Sequence, residues 1–378
     1  MKKNSKVLYI GHYKEKSEWS QIAKNYILSM DSVGIDVVCR NVTLTKDNPE
    51  IDKRLIKFEK KDSTNCDYCI QHVLPHHLVG TSNFKKNITI FFSENTTIKH
   101  LSWFNHLQLM DEIWVPNEDA KIYLKQDEIN VPIKIVPHCT DTERYTKKYP
   151  SINIPQADSK FKFYYIGDLN DNKNIRAIIR AFHSEFDRSE PVVMIFKIKK
   201  FGMSSEQVRQ NFDKILAEEK TKLRMYPRLD DYIKDIVITE DITDEHICAL
   251  HQYCDCFVCP SHGEAWSIPS FDAMAFGNVP ICSDFGGPAQ FIDSSNLNTG
   301  RLLSGVFAPC QCSDAAFPDM FTGRENWYIP CELELKNAMR WYYTTKNANG
   351  NPKIDGLTRA KEFSYETIGN IIKGLLHE

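Results

Sequence analysis

Residues 260–288 read PSHGEAWSIPSFDAMAFGNVPICSDFGGP. The run opens on a turn that holds Glu264, places Asp272 eight positions on, and ends in a Gly-Gly-Pro loop. The CFVCP segment that leads into it is short, apolar and bounded by a proline, which reads as a buried strand. HGEAWS is then the turn at the C-terminal end of that strand. Pro269 suits the first turn of a following helix, where its missing N–H costs nothing. The amides of Trp266, Ser267 and Ile268 fall at the N-terminus of this helix. Unsatisfied amides and the helix dipole attract anions there, phosphate above all. Asp272 lies about one turn into the helix, where a carboxylate beside a phosphate site takes ribose hydroxyls, as in dinucleotide folds. The spacing suits a sugar nucleotide: diphosphate at the helix end, nucleoside over the helix, sugar toward Glu264. A plainer reading stands beside it on local features. Asp272 would only favour the helix N-terminus, by about 0.3–1 kcal/mol, and Glu264 would be a solvated turn residue.

Outward from this stretch, strands and helices alternate. KVLYIGHY is a strand, SEWSQIAKNYILSM a helix capped by Ser17 and ended by Gly34, and IDVVCRNV the next strand. CDYCIQHVL, NITIFFSE, EIWVPN and PIKIVPH are further strands, with a helix expected over IKHLSWFNHLQLM. The polar TDTERYTKKYPSINIPQADSK is the best linker. The pattern then restarts with FKFYYIGDL, NIRAIIRAF, PVVMIFKI, SSEQVRQNFDKILAEEKTKL, DIVITED, TDEHICALHQYC and CFVCP. This is βαβ repetition, so two parallel sheets covered by helices are expected. Domains are read at 1–150, 151–355 and a terminal helix at 356–378 that returns to the first domain. In such sheets ligands bind beyond the C-terminal strand ends, and two facing halves make a cleft.

A chain of 378 residues exceeds one ordinary core. Its formal net charge of −3 argues against a strongly basic nucleic-acid binder. No apolar run approaches the roughly 20 residues of a membrane helix, and no small-residue cleavage site follows the first strand, so a cytoplasmic protein is expected. Several of the 12 cysteines sit in apolar runs, as small hydrophobes do. The pairs Cys66/Cys69 and Cys256/Cys259 fall on strand entries, so zinc is the less favoured reading.

The opening stretch resembles the signature of retaining GT-B glycosyltransferases of family four, the glycogen-synthase-like and sucrose-synthase-like group. That signature is Glu, seven residues, Glu, with G-F-G-L-P between them and A-M-A-x-G-x-P-V-I after, followed by a Gly-Gly loop. Here E-A-W-S-I-P-S-F-D-A-M-A-F-G-N-V-P-I and Phe285-Gly286-Gly287-Pro288 stand in those places. Ala265 and Ser267 replace glycines, and Asp272 replaces the second Glu. YIGDLNDNKNIRAIIRAF is similar to the family's first strand–loop–helix of the second domain, where a lysine binds the donor diphosphate. That role falls on Lys173. Gly167 closes the strand, but Asp168 stands where an arginine is often found, with Arg176 and Lys197 as substitutes by position only. DEIWVPN, VPHCTD and KEFSYETI are similar to further family segments.

The resemblance implies two facing Rossmann-like domains with a donor cleft between them. It implies transfer of a sugar from a nucleoside-diphosphate-sugar to an acceptor hydroxyl, with retention, no metal and no other cofactor. Glu264 would orient the donor sugar. Trp266, Ser267, Ile268 and Asp272 would hold the nucleotide, with Trp266 beside it or under the loop. Gly11 closes the first strand, in a loop that approaches the diphosphate in the family. Gln71, His72, His76 and His77 are read as a loop of the same cleft. Glu94 ends an apolar strand, where sheet ligands bind, and joins Glu264 and Lys173 as catalytic candidates. His138 ends another strand and is a donor-site candidate. The partner expected is a nucleotide-sugar donor; the acceptor is left open among glycan, small molecule and modified nucleic acid. Two rival readings are a catalytically weak sugar-nucleotide-binding protein and a DNA-base-modifying glycosyltransferase. The basic runs Lys53-Arg54…Lys57 and Lys197…Lys200 motivate the last.

Overall fold

The computed structural model describes residues 5–15, 17–43, 52–310, 321–349 and 353–378. It falls into two units, Met1–Thr142 with Lys361–Glu378, and Glu143–Ala360.

In the first unit the order is β1 (Lys6–Gly11), α1 (Glu18–Ser32), β2 (Asp36–Asn41), a single turn α2 (Ile56–Glu59), β3 (Tyr68–His72), β4 (Lys86–Ile90), α3 (Trp103–Leu107), β5 (Glu112–Val115), α4 (Glu118–Gln126) and β6 (Ile133–Ile135). The strands pair in parallel in the order β2-β1-β3-β4-β5-β6. Both faces are covered, so β5 is buried throughout. The Ser17 side chain caps α1 by accepting from the Ser20 amide. α3 is shorter than the helix expected over 98–110. The Ile98 amide and the Thr97 hydroxyl both donate to Asp127, at 2.6 Å each, which fixes the chain outside a helix just before it.

The second unit runs β7 (Phe161–Asp168), α5 (Ile175–Glu185), β8 (Val192–Lys199), α6 (Ser205–Leu223), β9 (Ile236–Ile238), α7 (Asp244–Tyr253), β10 (Cys256–Cys259), α8 (Ile268–Ala275), β11 (Val279–Ser283), α9 (Gly287–Phe291) and β12 (Arg301–Leu303). The hairpin β13 (Gly305–Pro309) and β14 (Asn326–Pro330) follows, then α10 (Glu332–Asn349) and α11 (Gly356–Lys361). The main sheet has the order β12-β11-β10-β7-β8-β9, again parallel. Aromatic side chains fill its core: Phe163 meets Phe182 and Phe186, and Phe196 meets Phe212. Two doubly wound sheets are thus present, as the alternation predicts.

The last helix, α12 (Tyr365–Leu375), lies against α1 in the first unit. Ser29 donates to the Tyr365 carbonyl at 2.7 Å, and Thr140 bridges Ser364. Gly369 packs so closely that a Cβ there would overlap the Ser29 carbonyl.

Each sheet has one place where the chain reverses its direction of strand addition. In the first unit it lies between β1 and β3, and in the second between β7 and β10. Ligands of open α/β sheets bind at the C-terminal strand ends of such switch points.

Candidate active site

The second switch point is bracketed by the loop after β7 and the turn after β10. These two segments are clamped together. Asn174 donates from its side-chain amide to the Pro260 carbonyl at 2.9 Å, and the His262 amide donates to the Asn172 carbonyl at 2.7 Å. His262 is fixed from its other side: its Nδ1 lies 2.9 Å from the Tyr328 carbonyl, and its ring stacks on Trp327. The clamp brings Lys173 to Glu264, with Nζ 2.8 Å from Oε1. Both side chains are largely buried, at 16% and 9% exposure, so the pair is shielded from solvent screening.

The Gly-Gly loop explains itself at this turn. Gly286 has φ +72°, and a Cβ on it would overlap the Glu264 carbonyl. A Cβ on Gly287 would overlap the Trp266 backbone, and the Gly287 amide donates to the Glu264 carbonyl at 2.8 Å. The loop therefore presses on the turn with bare backbone and sets its shape.

Ser267 begins α8 in the left-handed region, with φ +66°. Non-glycine residues rarely sit there, and such strain concentrates at functional sites. Its hydroxyl lies 2.7 Å from that of Ser270, which helps hold it. Pro269 occupies the first turn as expected, and Ile268 is the first helical residue. Trp266 is buried and packs on Phe271 and Phe291, under the loop.

Asp272 is placed otherwise than a bare ribose ligand. Its Oδ1 accepts from the Tyr145 hydroxyl at 2.6 Å, and Oδ2 lies 3.6 Å from the Arg144 guanidinium. Burial raises its pKa, with Arg144 and Tyr145 pulling the other way. A ribose would have to exchange with Tyr145. Tyr145 and Arg144 lie in the polar stretch read as linker, and their attachment to Asp272 puts them in the second unit. Spacing gave no signal for this contact, which joins residues 127 positions apart.

Gly167, the seventh residue of β7, and Asp168, its last, enter the same loop. Arg176 is engaged elsewhere, with Glu218 and Glu219 on α6.

The remaining candidates lie in the first unit. Gly11 ends β1 beside His72, the last residue of β3. Gln71 and His72 are strand residues, not part of the loop expected over QHVLPHHL; only Pro75–His77 forms a short turn. Gln71 is spent on the Val79 backbone, accepting at 3.0 Å and donating at 2.8 Å. His72 Nδ1 lies 2.7 Å from the Tyr9 hydroxyl. Its ring meets Trp19 and Phe92, and Phe92 meets His138. Glu94 follows Phe92 by two residues, on the loop after β4. Burial pushes the His138 imidazole down to about 3, and lowers His72 and His12 as well. These histidines are neutral at pH 7, suited to hydrogen bonding rather than to holding charge.

The 11 described cysteines are free thiols, and no group of three metal ligands occurs among the described residues. Arg54 and Lys57 are ion-paired with Asp52 and Asp31, so that basic run is a solvated, neutralised face. Among the described residues no helix is long and apolar enough to cross a membrane.

Residues 151–311 match the family described as glycosyl transferases group 1. No curated protein has a sequence that matches this chain. Among solved structures, sucrose-phosphate synthase from Thermosynechococcus elongatus is similar over 99% of this chain and 98% of its own, at 13% identity and a TM-score of 0.66. Anabaena Alr3699/HepE, in complex with UDP-glucose, is similar over 98% and 99%, at 12% identity and a TM-score of 0.58. An E. coli trehalose-6-phosphate structure bound with UDP-2-fluoro glucose is similar over 98% and 99%, at 10% identity and a TM-score of 0.62. The structural likenesses carry the fold and the sequence match carries the second unit. Residues 151–311 thus match glycosyl transferases group 1, and the two-sheet fold is shared with these solved structures along almost the whole chain.

Proposed function

We propose that the protein transfers a sugar from a nucleoside-diphosphate-sugar to an acceptor hydroxyl with retention at the anomeric carbon, without a metal. The observation that carries this reading is the Lys173–Glu264 pair at 2.8 Å, at the switch point, where Glu264 Oε1 and the hydroxyl of Ser267, just before α8, each lie 3.9 Å from Cys259 Sγ. A cation and helix amides directed at one place form a preorganised receptor for the negative charge that grows on a leaving diphosphate. Glu264 fixes Lys173 and faces the donor sugar, whose hydroxyls it orients. The sugar–diphosphate C–O bond breaks while the acceptor oxygen bonds the same carbon on the same face. The acceptor proton leaves with the diphosphate. Asp272 contributes to the ribose by exchanging its Tyr145 partner. The solved complexes of similar folds with UDP-glucose and UDP-2-fluoro glucose support a nucleotide-sugar donor.

A thermal-shift screen of UDP-, GDP- and ADP-sugars tests the donor site. A ligand at 100 times its dissociation constant stabilises by about 2.7 kcal/mol. Absence of any shift would remove the assignment. A binding protein without turnover is the second reading, motivated by Asp168 in place of a cation. It predicts tight donor binding with neither hydrolysis nor transfer on any acceptor; transfer that disappears in Glu264→Ala excludes it.

A further inference from the structure

The strands of the second unit also have N-terminal ends, away from the donor loops. Phe161 opens β7, Cys256 opens β10 and Val279 opens β11, and all three are buried. They floor a cavity of about 140 Å³. Along β7 this floor lies seven residues from Asp168, about 23 Å at roughly 3.3 Å per residue. The walls come from Trp341, Tyr342 and Thr345 on α10 and from Asn298 in the loop before β12. Cavities for drug-sized ligands hold about 300–1,000 Å³, so this one suits a single ring. Trp341 offers that ring an aromatic surface, since the side chain is 48% exposed. The Tyr342 hydroxyl is buried without a partner among the described residues, which is unfavourable. The Asn298 side-chain amide and the Thr345 hydroxyl also make no hydrogen bond to a described residue. The charges at the cavity are already used. Lys353 donates to the Cys254 carbonyl at 3.1 Å and to the Asn278 side chain, and Asp255 accepts from the Lys162 amide at 2.8 Å. A charged ligand would be desolvated there without a counter-charge. An amide and two hydroxyls each both donate and accept, which matches the hydroxyls of a sugar. The negative face of an indole matches the C–H face of the same ring.

We infer that this cavity is a second carbohydrate site that takes one neutral sugar ring, with Trp341 against the ring's C–H face and Asn298, Tyr342 and Thr345 meeting its hydroxyls. The site shares no residue with the donor site and does not rest on that reading. One ring cannot span about 23 Å, so a sugar held here belongs to a longer glycan or to a separate molecule.

The test uses the full chain as wild type, Trp341→Ala and Asn298→Ala. Each is probed by saturation-transfer NMR and calorimetry with the methyl glycosides of glucose, galactose and mannose and with N-acetylglucosamine, and with glucuronate and uridine as controls, with and without saturating UDP. Wild type should bind at least one neutral sugar, more tightly than glucuronate, and UDP should not displace it. Trp341→Ala should bind that sugar about tenfold more weakly, the effect of truncating a central aromatic contact. Asn298→Ala should show a smaller loss, and the thermal shift caused by UDP should be unchanged in both. If Trp341→Ala does not fold, Asn298→Ala and Thr345→Val read the same contrast. Binding of no neutral sugar by wild type overturns the inference. Equal sugar affinity in the variants does so too, as does displacement of the sugar by UDP. Uridine lost in Trp341→Ala while the sugars are unaffected would overturn the carbohydrate assignment. A chain that binds the sugar at Trp341 but no nucleoside diphosphate would keep this inference and remove only the donor-site reading.

Discussion

The Tyr145 hydroxyl donates to Asp272 at 2.6 Å, so the two acids of the signature stretch serve different partners, Tyr145 for one and Lys173 for the other. Tyr145→Phe removes a donor from a buried carboxylate. The expected cost is about 1–3 kcal/mol in unfolding by urea, the range for a buried group left without its partner. The same change frees Asp272 for a ribose. The variant should therefore show a larger nucleoside-induced thermal shift than wild type, despite its lower starting melt. An unchanged shift would remove the ribose from Asp272.

Lys173 and Glu264 form the more consequential pair. Removing one partner leaves the other charge buried, which costs about 3–5 kcal/mol. Lys173→Met and Glu264→Gln should each destabilise the second unit, and the double variant should recover part of the loss. A double-mutant cycle with no coupling would show the pair to be incidental. Glu264→Gln should keep more donor affinity than Lys173→Met, since it leaves the cation in place, and should lose transfer instead.

Acid should weaken the protein from near neutrality. Unfolded histidines take protons at about pH 6.5, whereas burial holds His138 and His251 to about 3 in the folded chain. Between those values the unfolded state binds more protons. Stability is therefore full above about pH 6.5 and declines as the pH falls toward 3. Urea midpoints at pH 7.5, 6.0 and 5.0 should drop in that order. His138→Leu should reduce the dependence by about one proton. A flat profile would contradict the burial of these rings.

A glycine in a helix is normally improved by alanine, by up to about 1 kcal/mol. Gly369 should behave in the opposite way. Its Cβ would overlap the Ser29 carbonyl on α1, so Gly369→Ala should lower the melt of the first unit. A raised melt would mean that α12 does not pack this closely on α1.

Much of this site was legible because its signals are local. Pro269, the Gly-Gly loop and the turn at Glu264 each act within a few residues, and βαβ alternation is a pattern of neighbours. The unread parts are contacts across long separations. Tyr145 reaches Asp272 from a stretch whose prolines and charges read as linker. His262 looks like any turn histidine until Asn172 and Tyr328 meet it from either side. His72 belongs to a strand rather than a loop, because the apolar run before it pairs with β1 as far as that residue. The helix expected over 98–110 was shortened by Asp127, about thirty positions on, whose pull on Thr97 and Ile98 leaves no trace in local periodicity.

The first unit is not contiguous: residues 361–378 complete it, after the whole second unit. A ribosome extends a chain at about 5–20 residues per second, so the second unit emerges over roughly ten to forty seconds before the closing segment exists. By the end of that interval the second unit has all its residues and can fold, while the α1 surface that α12 will cover still stands bare. The order of completion is therefore second unit first, and the nascent first unit is the stage at which a chaperone holding that apolar surface would matter most.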